Sequence, residues 1–187
     1  MVNMLAAIIT VGALSSLCLG LVGPVYPIFV LQRVKGSLTD IGLLYAIFYF
    51  TSATIKIFAG KLVDKYGKER IFVLGGIVGA ICTWGYVLSS NQIHLYLLEF
   101  INGLAYALQR PAFLVLLAEA TKSKSRGFEM GVFDSIYDLA GALASLASAL
   151  IVVSFGFDFL FYLCSGFQVT SGFVIFASHR RYEKGYM

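Results

Sequence analysis

Five ionisable residues stand inside stretches that are otherwise apolar: Lys56, Glu99, Arg110, Asp134 and Asp138, with Glu119 and Glu129 nearer the ends of theirs. A charge at the centre of a bilayer costs at least about 2.5–3.5 kcal/mol, so such groups face one another or a hydrated cavity. Asp134 and Asp138 lie one helical turn apart on a single face, and two carboxylates that close in a poorly solvating medium suit proton or cation binding. At roughly 100° per residue, Glu99, Gly103, Tyr106 and Arg110 fall within a sector of about 60°. At ~1.5 Å per residue the acid and the base are separated by roughly 16 Å along the axis. Two further faces are polar, one carrying Tyr45, Tyr49, Ser52 and Lys56, the other Asp134, Asp138, Gly141 and Ser145. Tyr45, Tyr49, Tyr106 and Tyr137 can offer hydroxyls and ring faces to a solute, or simply pack. Structural roles compete for each charge: Arg110 can neutralise Asp134 or Asp138 across a helix interface, and Lys56 can snorkel to a nearby surface.

These residues need helices long enough to hold them at membrane depth. The 187 residues are 59% hydrophobic and 13% charged, with a mean hydropathy of +0.84. That is too little charge to coat a soluble globule of this size. Hydropathy divides the chain into six apolar stretches of bilayer-crossing length near residues 4–31, 38–60, 70–90, 92–118, 127–154 and 158–178. All six are predicted helices in one transmembrane domain over residues 1–187, because an open sheet cannot satisfy its backbone in lipid. The first stretch is predicted to be a span rather than a secretory leader: Met1 to Thr10 carries no Lys or Arg, and the apolar run is too long for a leader core. Gly12, Ser16, Gly20 and Gly23 allow close helix approach, and Pro24 and Pro27 allow a bend.

Basic residues collect on alternate connections. Lys61, Lys65, Lys68 and Arg70 follow the second span, Lys122, Lys124 and Arg126 follow the fourth, and Arg180, Arg181 and Lys184 follow the sixth; Arg33 and Lys35 stand on the other side. This bias predicts that both termini are cytoplasmic. The opposite connections, 32–38, 89–92 and 155–158, are too short to hold a folded domain, so no soluble catalytic module is expected and the chain is not read as an enzyme. Cys18, Cys82 and Cys164 fall in separate apolar stretches, and His94 and His179 form no cluster, so neither a metal nor another cofactor is expected. The expected surroundings are the lipid bilayer and a small solute, with no nucleic acid.

The segment Gly60, Leu62, Asp64, Lys65, Gly67, Lys68, Arg70 resembles the cytoplasmic loop signature between the second and third helices of the major facilitator superfamily. Gly103, Pro111, Arg126-Gly127 and Gly131 are similar to that family's fourth and fifth helices, and Pro24 to Pro27 and Leu38-Thr39-Asp40-Ile41-Gly42 to its first and second. Two positions depart from the pattern. Glu99 occupies the place where the family commonly has an arginine, and Gly141-Ala142 the place where its drug antiporters tend to carry Gly-Pro, so antiport has no motif support.

The resemblance implies an all-helical membrane fold, six helices arranged as a 3+3 inverted repeat, forming one half of a twelve-helix architecture. It implies secondary transport by alternating access, with the first, second, fourth and fifth helices lining a cavity and the third and sixth against lipid. A parallel homodimer, or pairing with another transporter half, would complete the cavity. Glu99, Tyr106, Arg110, Asp134, Asp138, Tyr45, Tyr49 and Lys56 are the candidate solute or proton pathway. Gly60 and Gly67 are expected to turn the chain, with Asp64 held among Lys65, Lys68, Arg70 and Arg126 as a gate. The rival reading is a non-transporting subunit that assembles with another half.

Overall fold

The computed structural model describes the backbone of residues 2–184 and the side chains of residues 4–178. The tail cations Arg180, Arg181 and Lys184 and the ring of His179 therefore lie outside the described side chains. The order is α1 (Val2–Val22), α2 (Tyr26–Gln32), α3 (Leu38–Tyr66), α4 (Lys68–Leu88), α5 (Gln92–Ala120) and α6 (Arg126–Lys184). Five stretches are long and apolar enough to cross a membrane, α1 and α2 counting together as one. The last of them, α6, is broken at Gly156 (φ 81°, ψ 171°) into limbs of residues 126–155 and 157–184. Each limb is itself of crossing length at ~1.5 Å per residue, so the described residues hold six stretches of crossing length. They are called spans one to six below.

Local chemistry sets the breaks. Pro24 and Pro27 lack amide hydrogens, and α1 gives way to α2 beside them. Ser37 caps α3 through a reciprocal box with Asp40, and Asn91 caps α5 by accepting from the His94 amide at 3.0 Å. Between α3 and α4 the turn is a single residue, Gly67, at φ 92°. The prediction that Gly60 also turns the chain is corrected. Gly60 sits inside α3, which runs on to Tyr66, because charged residues at a membrane surface continue a helix as readily as they end one. Likewise the predicted connection at 155–158 shrinks to the one residue Gly156.

Span one packs on both limbs of α6. The Ser16 hydroxyl donates to the Tyr137 carbonyl at 2.5 Å, and Phe29 meets Phe161 edge to face at 5.0 Å. Small residues permit the first of these seams: a Cβ on Gly141 would lie 2.7 Å from the Ser16 Oγ, and one on Gly20 would lie 2.8 Å from the Cβ of Ala144. Span two packs on span four, span four on span three, and span three on span six. Exchanging spans one, two and three for four, five and six leaves this set of neighbours unchanged, as a 3+3 repeat requires.

Two apolar clusters fill the bundle. Ile8, Phe72, Leu116 and Phe133 belong to one, and Phe29, Leu44, Leu95 and Phe161 to the other. At the end carrying the second cluster, the Arg33 guanidinium reaches Asp158 at 2.5 Å and the Val87 carbonyl at 3.2 Å, joining the ends of spans one, six and three.

Candidate functional site

Two adjoining cavities of about 300 and 220 Å³ form one cleft among the six spans, span five contributing Tyr137. They share Cys18, Leu19, Phe48, Tyr49, Asn102 and Gln168. Span four supplies most of the polar wall: Glu99 and Asn102 to the smaller cavity, and Asn102, Tyr106, Gln109 and Arg110 to the larger.

Glu99 is 6% exposed, and its Oε1 accepts from the hydroxyls of Tyr26 and Tyr86, the latter at 2.7 Å. Asn102 donates to the Tyr86 hydroxyl at 3.4 Å. Tyr26 starts α2 immediately after the proline break, and its ring meets Tyr45 and Tyr86 edge to face. The carboxylate is thus held by two hydroxyls from spans one and three, and it makes no ion pair among the described residues. The buried carboxyl group is held by these hydrogen bonds rather than by a counter-ion among the described residues.

Further along the same helix, Lys56 of span two lies over the Tyr106 ring, its Nζ 4.6 Å from the centroid. This cation–π contact fixes the lysine against the cleft wall. Arg110 is exposed to the larger cavity, and no ion pair among the described residues includes it. The structural alternative of an Arg110 pair with Asp134 or Asp138 is therefore absent. Span five turns Phe133, Ala144 and Ser148 into the bundle and Tyr137 to the cleft, which leaves Asp134 and Asp138 exposed at the edge of that face.

Other candidate residues are distributed as follows. Tyr45 and Tyr49 stand on the cleft wall. Ser52 is buried away from it, with its Oγ lacking a partner. Gly103 serves packing, since a Cβ there would meet the Phe48 carbonyl at 2.8 Å. The expectation that spans three and six face only lipid is corrected: Phe72, Gly79, Thr83 and Tyr86 of span three and Phe161 and Gln168 of span six reach the cleft. Gln168 donates to the Thr83 hydroxyl at 3.2 Å, while its Oε1 is buried without a partner.

The charged loop differs from the expected gate. Lys68 pairs with Glu119 at 3.0 Å and Glu69 at 3.4 Å. Asp64, Lys65, Arg70 and Arg126 are exposed, and Asp64 takes part in no ion pair among the described residues. Glu129 instead caps the start of α6, accepting from the Lys122 amide at 2.9 Å and the Ser125 hydroxyl at 2.6 Å.

Tyr26, Tyr86, Asn102, Gln109 and Gln168 were not singled out by charge. Gln168 had a readable signal, as an amide in the middle of an apolar run. The tyrosines had none, because nothing in their spacing shows that Glu99 is what they meet.

The cleft sits among helices whose neighbours map onto themselves, the chain turns at Gly67 within a basic loop, and the family model of the Major Facilitator Superfamily matches residues 8–185. The chain belongs to the major facilitator superfamily. It is 27% identical over 132 residues to the multidrug transporter protein MdtP of Bacillus subtilis, covering 68% of this chain and 24% of that protein. It is 30% identical over 118 residues to the quinolone resistance protein NorA of Staphylococcus aureus, covering 63% and 30%. It is 26% identical over 162 residues to multidrug resistance protein 2 of Bacillus subtilis, covering 84% and 40%. The chain thus spans between a quarter and two fifths of the length of these relatives. As a member of the superfamily it is an integral membrane protein of a transporter family, and those relatives are not enzymes.

Proposed function

We propose that this superfamily member moves a small, largely aromatic solute by alternating access, with both termini cytoplasmic in a plasma or inner membrane. The observation that carries this reading is the cleft itself: its wall sets the Glu99 carboxyl and the Arg110 guanidinium, neither in an ion pair among the described residues, on one membrane-crossing helix, among rings from Tyr26, Tyr45, Phe48, Tyr49 and Tyr106. Aromatic faces suit flat apolar solutes, and the printed names of the relatives, multidrug and quinolone among them, agree with that class.

A second six-helix unit completes the passage, and we take it to be a parallel copy of this chain. Exposed Asp134 and Asp138 support this, since carboxylates left facing lipid are costly and a facing bundle would cover them. Proton coupling runs through Glu99 or this carboxylate pair, with the Gly67 loop acting as a cytoplasmic gate when the units separate.

The test is uptake of fluorescent aromatic solutes into proteoliposomes with and without a proton gradient. Saturable uptake that rises with the gradient is the expected result. Uptake that ignores the gradient, or that is unchanged in both Glu99→Gln and Asp134→Asn/Asp138→Asn proteins, removes the coupling. A monomer in bilayer crosslinking, with activity intact, removes the homodimer. A non-transporting subunit would give no flux at all.

A further inference from the structure

We infer that Cys18 and Cys164 form an oxidative modification site, a thiol pair that hydroperoxides entering the cleft convert to a disulfide joining span one to span six. The inference holds whichever solute the cleft carries. Cys18 is partly exposed and lines both cavities. Cys164 is fully buried, its thiol 3.8 Å from the Cys18 carbonyl and against the Cys18 sulfur. The Gln168 amide nitrogen lies 4.0 Å from that same sulfur and holds it at the cleft wall.

The chain thus brings together two sulfurs from positions 146 residues apart, one open to the cleft and one sealed from it. In such a pair the open thiol meets the oxidant and the sealed one resolves the product. Cys82 sets the contrast. It is 2% exposed, its thiol rests on the Leu98 carbonyl at 3.1 Å, and it lines neither cavity.

The chemistry balances with a hydroperoxide as the oxidant. Cys18 reacts as its thiolate, the nucleophilic form, and attacks the terminal peroxide oxygen. A sulfur–oxygen bond forms as the oxygen–oxygen bond breaks, and the departing alkoxide takes up the proton lost from Cys18 and leaves as an alcohol. Cys18 is then a sulfenic acid. The Cys164 sulfur attacks it, the disulfide forms as the sulfur–oxygen bond breaks, and hydroxide leaves with the Cys164 proton as water. Each thiol has given up one electron, and the peroxide bond has taken both. A dithiol reductant reverses the step by exchange.

The bond would have a mechanical consequence. Cys18 stands between Ser16, which is bonded to span five, and the helix break beside Pro24. A covalent link there ties the same arm of span one to span six as well, so less of span one is free to pivot at the break.

The test treats the purified full chain, in dodecyl maltoside micelles and in proteoliposomes, with cumene hydroperoxide. The protein is then opened in dodecyl sulfate, labelled with N-ethylmaleimide and weighed intact. The reduced chain takes three labels, one on each free cysteine. Oxidation should remove two of the three, and peptide mapping should find Cys18 joined to Cys164. Cys82→Ser should still lose both remaining labels, whereas Cys18→Ser should keep both of its own. Cys164→Ser should stop at the sulfenic acid, which dimedone captures on Cys18.

Three labels retained under conditions that oxidise a cysteine peptide in the same tube would overturn the inference, as would a bond that includes Cys82 or joins two chains. Peptide mapping of the unmodified sequence decides these points even where a serine variant fails to fold. A second measurement asks whether the two cysteines are already placed for bonding. A disulfide that closes so long a loop without moving the backbone constrains the unfolded chain, so the unfolding midpoint in dodecyl sulfate should rise on oxidation and fall back with dithiothreitol. A midpoint that drops on oxidation would mean that the bond forces the helices out of place, and the pair would not be a built site.

Discussion

The hydrogen bond from Tyr86 to Glu99 offers a quantitative check on how the buried carboxylate is held. Both side chains are nearly inaccessible, at 5% and 6% exposed, and the bond is 2.7 Å long. A hydrogen bond to a charged group contributes about 1.5–3 kcal/mol, and removing one partner strands the other without solvent to replace it. Tyr86→Phe should therefore cost about 2 kcal/mol, since the buried carboxyl loses one of its donors. Glu99→Met, close in volume, should cost a similar amount because both tyrosine hydroxyls lose their acceptor. In the double variant the Tyr86 penalty is no longer separate, so it should be less destabilised than the sum of the singles by about 2 kcal/mol. Reversible unfolding in mixed dodecyl maltoside and dodecyl sulfate micelles, followed by circular dichroism, measures all four corners of the cycle. Additivity within about 0.5 kcal/mol would refute the arrangement, because independent sites add to that accuracy.

Three further outcomes follow from the geometry. Gly67→Ala should destabilise by about 1 kcal/mol because its φ of 92° strains any Cβ, whereas Gly60→Ala, inside α3 with open space around it, should be neutral or stabilising by up to roughly 1 kcal/mol in the same micelle assay. Gly141→Val should cost about 1–3 kcal/mol by forcing spans one and five apart at Ser16, and restoring the volume with Ser16→Gly should recover part of it. Arg33→Gln should cost under about 1 kcal/mol, since its pair with Asp158 is 37% and 42% exposed, and the loss should shrink further at high salt.

Much of the architecture was legible from hydropathy alone, because six crossings leave a signal that neither packing nor partner choice can erase. The caps and breaks were less so. Gly60 and Gly67 look alike in a list of residues, yet only the second adopts a backbone that needs glycine. Glu99, Tyr106 and Arg110 sit along one side of a helix, and spacing is enough to show it. Which neighbour that side meets is another matter. Lipid and protein interior are both apolar, so periodicity does not distinguish an outward leucine from an inward one, and spans three and six were read as peripheral. Gln168 and Tyr86 reach the cleft from those spans because the spans themselves border it, as lining by Gly79 and Thr83 shows. The pairing of Lys68 with Glu119, in place of an Asp64 cluster, depends on how far α3 extends, which no single segment encodes.

The contacts of Arg33 with Asp158 and the Val87 carbonyl bind three helix ends into a tripod at one rim. Below the proline break, span one is stitched instead to span five through Ser16 and Tyr137. The short unwound stretch around Gly23 and Pro24 is thus a knuckle with each arm clamped to a different body. Rocking between the rim and the fifth span has two places to be absorbed, the Gly156 break and that knuckle, and the second lies next to the Tyr26 hydroxyl that grips Glu99.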